Sequence, residues 1–421
     1  MTSGGGYAAG WCVALIALGL ASGCHSRREQ QGCRMLREVV IGNSSGVPKV
    51  VDVTRGEAGG YVAAWSADGE TFVAGLNPAS LRVDWVQRVE RFRLPVAADL
   101  DGGTPKTFWP EGGRSSPDAE DLALISLPGG RLALVMLERP SGALSGGVYV
   151  ALVDPPPVSE TAVLRVGSTW PFASRIDAVS NGKTLTVAWH EGHPDSSRVR
   201  LAAVDLVEER VVARSVIPGD MALSGPAVAA GSDSIVLSWT RTAHRDGSPR
   251  SEVRAASLGA DLAVGEATVV ASCRYLDPAP RLIVLGKRFG LAYRDDADED
   301  DKPEFYFAVL DTRGRVVEGP ARISRADGFQ GPRLSAGDPL VYSAAIRSFQ
   351  RNYLVGLNRF DLAGVKRGGE FQIYADKSDF IRVAIEAKGE DVVLVYGEDR
   401  RGTGRVLASR VICREGDSAS P

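Results

Sequence analysis

Residues 390–417 read "EDVVLVYGEDRRGTGRVLASRVICREGD": two strand-like runs, "DVVLVY" and "RVLASRV", joined by a polar hairpin, after which the chain ends. Similar stretches earlier in the sequence carry one more strand-like run before the pattern starts again. "EFYFAVLD" is followed by "RVVEGPARIS", and "VRLAAVD" by "ERVVARSVI". The last unit therefore lacks a strand, and the place where that strand lies decides the fold.

The run that ends in an aromatic residue sets the period. "GYVAAW" ends at Trp65, "KTLTVAW" at Trp189, "DSIVLSW" at Trp239, "KRFGLAY" at Tyr293 and "EDVVLVY" at Tyr396; "GRLALVM" at Met136 and "PLVYSAA" at Ala345 fill the gaps. Successive differences are 71, 53, 50, 54, 52 and 51, so there are seven units and one long interval. Before the aromatic run comes a short one often entered through proline, as in "VPKVVDV", "GPAVAAG", "APRLIVLG" and "GPRLSAG". Proline suits a strand's start, where no ladder donor is needed. A third run carries a recurrent alanine (Ala74, Ala151, Ala202, Ala308, Ala408), which predicts close packing between units.

A chain of 421 residues exceeds the roughly 250–300 at which one ordinary core stops growing, so two domains or a repeat are required. Four short antiparallel strands repeated seven times predict an all-β, seven-bladed β-propeller. A pair of β-sandwich domains is the alternative, but it gives no reason for an interval near 52. The missing strand is at the other end of the chain. "CRMLREVVIGNSSGVPKVV" matches the junctions "ARISRADGFQGPRLSAG" and "RSVIPGDMALSGPAVAAG". Residues 34–42 are thus expected to pair with 404–413 and close the ring, leaving no open edge between first and last blades. That order makes Cys33 and Cys413 neighbours and predicts a disulfide, with Cys273 unpaired half a ring away; three free thiols is the other reading.

The charge balance excludes some functions. With 24% charged residues and a net charge of −3, the chain has no Lys/Arg excess for a nucleic-acid groove or polybasic membrane surface. At the N-terminus, "WCVALIALGLASGCHS" holds an apolar stretch of about a dozen residues, short of the roughly 20 a spanning helix needs. It suits a secretory signal. Leu20-Ala21-Ser22-Gly23-Cys24 resembles the bacterial lipobox. That resemblance implies residues 1–23 are a signal peptide, Cys24 carries the lipid, and 24–33 form a tether to a propeller of 34–413 with a disordered tail at 414–421. Several acyl chains give the stable anchoring one chain does not. Arg27-Arg28 follow the apolar run rather than precede it, and an uncleaved anchor or a plain secretory signal are the alternatives. His25 and Ser26 lack the Asp that, by resemblance, retains lipoproteins at the inner membrane, so the expected address is the outer membrane of the cell envelope. The chain resembles the propeller lipoproteins of Gram-negative envelopes, which implies a monomer tethered to the membrane that binds envelope protein or glycan.

Candidate sites fall on loops of one face. "WHEGHPD" supplies His190 and His193, "RTAHRDG" supplies His244, and "RDDADEDDKPE" supplies Asp296, Asp298 and Asp300. Imidazoles with carboxylates suit zinc and clustered carboxylates suit calcium, although solvated hairpin tips explain both runs. The long interval places an insertion at 88–118, whose "AADLDGG" resembles part of a propeller calcium loop at Asp99 and Asp101. Its Phe108 and Trp109 are candidates to touch a ligand or to plug the central channel. "SADGETF" is read as a tight Asp68-Gly69 hairpin turn. No catalytic carboxylate set and no regular set of inward charges is expected on the innermost strands. The expected function is non-catalytic binding or scaffolding with no cofactor, the alternative being an envelope hydrolase or lyase acting on glycan.

Overall fold

The computed structural model describes residues 29–30, 32–89, 119–138, 146–155, 163–169, 174–193, 196–218, 225–245, 248–274, 280–296, 303–325, 331–349, 352–374 and 379–414. They form seven antiparallel sheets, six of four strands and one of five. The innermost strands are Val50–Arg55, Asp121–Ser126, Ser174–Ser180, Ala227–Ala230, Arg281–Leu285, Arg333–Ala336 and Asp379–Lys388. Each contacts the next, and the seventh contacts the first. The ring is closed and the protein is a seven-bladed β-propeller.

Closure is made as the repeat requires. Strand Cys33–Ser44 pairs antiparallel with Thr403–Cys413 in blade seven, from Cys33 opposite Cys413 to Ser44 opposite Gly404. The Cys33–Cys413 disulfide spans a separation of 380 residues, and Cys273 is a buried free thiol. Glu29–Gln30, inside the stretch read as a tether, adds a fifth strand by pairing with Arg34 and Cys33. The signal and Cys24 lie outside the described residues.

Packing explains the recurrent aromatic. Trp189 of blade three lies over Gly167 of blade two, where a Cβ would come within 2.6 Å of the indole. Trp65 of blade one lies likewise over Gly42, which belongs to the closing strand of blade seven, at 2.8 Å. At these two boundaries the aromatic is a wedge for which glycine supplies the room, and Trp239, Tyr293 and Tyr396 also pack into the apolar clusters between blades. The recurrent alanines of the third strands are fully buried. Seven apolar clusters result, one at each blade-to-blade interface. A blade buries both faces only because it has two neighbours. The Asp68-Gly69 turn is present, both residues having φ near +55° and +76°, as a two-residue hairpin demands.

Candidate functional site

The inner edge of each sheet faces the axis, and its outward N–H groups have no strand to pair with. Three blades solve this with aspartate. Asp52 accepts from Leu124 N–H of blade two at 2.8 Å, Asp121 from Ile176 N–H of blade three at 2.9 Å, and Asp177 from Val228 N–H of blade four at 3.0 Å. Ser335 does the same for Ala387 N–H of blade seven at 2.9 Å. Each clasp reaches one residue past the corresponding position of the next blade, so one face of every inner strand looks toward its successor. Asp52→Ala should leave the Leu124 N–H without an acceptor and cost about 1–3 kcal/mol, read as a lower denaturant midpoint with unchanged slope.

Aligning the inner strands on the residue opposite the one before the aromatic position gives a tier around the axis. It runs Asp52, Ala123, Asp177, Ala227, Arg281, Arg333 and Ala384. Toward the loop face, a second tier holds Asp121, Arg175 and Arg382. Below the first tier, Glu386 looks from blade seven toward blade one. No one charge repeats from blade to blade, as expected of strands without a regular inward set, yet the inner strands carry charged residues in six of the seven blades. They are divided by side, with aspartates on blades one to three and arginines on blades five to seven. Glu386 on blade seven and Arg175 on blade three are the exceptions. Arg175 sits on a bulge with φ +58° and lies across Gly225 of blade four, where a Cβ would come within 2.2 Å of its own Cβ. Bulges of this kind re-aim a side chain.

Electrostatics follows from confinement. Burial pushes the Asp177 carboxyl up to about 6, against the pull of Arg281 and the N–H groups of Val228 and Ala178. Burial raises Asp52 too, opposed chiefly by Arg333. Glu386 rises to about 7 through burial and then its neighbour Asp52. Burial and then Arg333 pull the Arg281 guanidinium down to about 10, and burial lowers Arg382. Arg281 and Arg333 are half-buried, and the Nε atom of each is buried without a hydrogen-bond partner among the described residues.

The residues singled out from sequence are placed differently. His190 is not at a hairpin tip: it lies within strand Thr184–His193, buried between Ser174 and Val199 of the flanking strands. The next residue, Glu191, is buried and ion-paired with Arg200. His193 ends strand Thr184–His193 of blade three and His244 is the last residue but one of strand Ile235–Arg245 of blade four, so neither stands in a loop. Asp296 directly follows strand Arg288–Asp295 of blade five, while Asp298, Asp300, Asp99, Asp101, Phe108 and Trp109 lie outside the described residues. Among the described residues no three His, Cys, Asp or Glu side chains converge as a metal site. Of the insertion, Arg88 belongs instead to strand Val83–Arg88 and pairs with Glu70 at 2.5 Å.

No family model matches the chain, and no curated protein matches it. Solved structures do. The polysaccharide lyase Uly1 superposes with a TM-score of 0.51 at 9% identity, over 89% of this chain and 91% of that one. Kuenenia stuttgartiensis hydrazine synthase gives 0.50 at 14% identity, over 83% and 93%. The Dos1 propeller gives 0.47 at 11%, over 89% and 95%. At such identities the likeness is one of fold.

Proposed function

We propose that the protein is a lipid-anchored binding or scaffolding propeller of the bacterial cell envelope, holding protein or glycan at its loop face. The supporting observation is the state of the carboxylates there. Glu191 is tied to Arg200, Glu398 to Arg405, and Glu304 to Arg322 at 2.9 Å, each carboxylate being buried. A buried carboxylate held by a guanidinium is committed to that pair, so these groups serve the architecture. The test is co-purification: full chain extracted from membranes should bring down a defined envelope component. A variant lacking residues 90–118 reports whether the insertion contributes. Release of the unmodified chain by a salt wash, with Cys24→Ser equally membrane-bound, would refute the anchor.

A second reading rests on Glu386. A carboxyl raised to about 7 inside a channel is poised to give and take protons at neutral pH, and propellers host catalysis as readily as binding. An envelope hydrolase or lyase is then expected to lose turnover of its glycan in Glu386→Gln while still binding it. If a screen of glycans finds no turnover, binding alone stands.

A further inference from the structure

The two halves of the channel differ in what their charges already do. On blades one to three the carboxylates are occupied: Asp52, Asp121 and Asp177 each accept a backbone N–H of the following blade. Blades five and six carry arginine at the same tier, and arginine cannot accept. The N–H groups of Leu282, Leu334 and Ile385 correspond by register to the clasped ones of Leu124 and Val228, yet no side-chain acceptor among the described residues reaches them. Nor does any carboxylate among the described residues form an ion pair with Arg281 or Arg333. This side of the channel therefore presents donors without acceptors: two guanidinium groups, each with an idle Nε, beside a row of main-chain N–H groups.

Two like charges held in a confined space at the same tier need a reason. After burial, repulsion from Arg333 is the main cause that lowers Arg281; Asp177 and Asp121 oppose it, and an anion between the two arginines would add to that opposition. Planar forks matched with main-chain donors are the chemistry that recognises a carboxylate or a sulfate. The alanines at three positions of the tier leave the opposing side chains short. Arg175 and Arg382 lie two residues nearer the loop face than this tier, the side the binding reading assigns to the ligand.

We infer that the blade five to six side of the channel, built on Arg281 and Arg333, is an oxyanion-binding site for the carboxylate or sulfate group of an acidic glycan. This rests on the binding reading for the glycan but not for the anion, and the experiment separates them. Calorimetric titrations of the full chain, purified in detergent, use four probes: sodium sulfate, an oligogalacturonate, a neutral oligogalactan of equal length, and a tetraglutamate peptide. The oligogalacturonate should bind and the neutral chain should not, and Arg281→Gln and Arg333→Gln should each weaken binding at least tenfold. Arg288→Gln, at the exposed hairpin between the first and second strands of blade five and ion-paired with Glu318, should leave it unchanged. Sulfate binding that is lost in both arginine variants, with no glycan bound, keeps the site and refutes the glycan. Tetraglutamate binding in place of the glycan does the same. Glycan binding that survives both substitutions keeps the binding reading and overturns the site, and so does the absence of binding by every probe. Should either variant fail to fold, wild-type protein decides: sulfate must raise its melting temperature above that in sodium chloride of equal ionic strength, and no such rise overturns the site.

Discussion

Replacing Cys413 by serine is expected to lower stability by up to about 5 kcal/mol, the largest effect of any single substitution considered for this fold. The Cys33–Cys413 bridge closes a loop of 380 residues, so it removes more freedom from the unfolded chain than any other link among the described residues. It also holds together the two ends of the chain in the one blade built from both. Around it, Tyr396 donates to Glu38 of the closing strand and meets Ser409, while Ile41 packs into the core between blades seven and one. Guanidinium unfolding of Cys33→Ser, Cys413→Ser and the double variant should give one common, lowered midpoint, matched by the wild type under reductant. A midpoint unmoved in all three would show that strand pairing alone closes the ring. Deleting residues 29–44 goes further. It leaves the edge of Thr403–Cys413 bare and opens the seventh apolar cluster, and the cooperative transition should vanish.

That closure was legible because it depends on period and register, which short apolar runs carry openly. Trp65, Trp189, Trp239, Tyr293 and Tyr396 recur since each packs into an apolar cluster between blades, a demand the architecture repeats at every unit. The channel was harder to see, although its residues stood in view. Arg281 and Arg333 each follow the proline that introduces an inner strand, Pro280 and Pro332, and a lone arginine at the start of a strand has no signature that separates it from surface charge. Asp52 and Asp177 occupy the same step of their strands, but only the pairing register shows that they share a tier with those arginines. Nothing in one unit announces the tier, because each blade places a different residue there. His190 misled for a related reason. A polar residue after a strand's aromatic suggests a hairpin, yet here the strand runs on to His193 and the ion pair of Glu191 with Arg200 lets it stay in the sheet.

Glu386→Gln should make the protein more stable at pH 8 and leave it unchanged at pH 4. The folded state raises Glu386 from 4.5 to about 7, so it binds a proton more readily than the unfolded chain does. Stability from that proton is fully present below about pH 4.5 and is lost as pH rises through about 7. A difference of about 2.5 pH units corresponds to a loss on the order of 3 kcal/mol, which glutamine, neutral throughout, does not incur. Asp177, raised from 3.8 to about 6, adds a loss of the same sign. It is the poorer target for substitution, because its two oxygens accept from Val228 and Ala178 and an amide keeps only one acceptor. Denaturant midpoints between pH 4.5 and 8.5 should fall steeply for the wild type and less steeply for Glu386→Gln; parallel curves would remove Glu386 from the account. The same titration bears on the channel's ligand. As pH drops from 8 to 5.5, Asp177 opposite Arg281 and Arg333, and Glu386 beside Asp52 and Arg55, take up protons while the arginines keep theirs. The channel becomes more positive, and an anion that stays ionised over that range, such as sulfate, should bind more tightly at the lower pH. Tighter binding at the lower pH places the occupant with the arginines, and the opposite sign places it with the carboxylates.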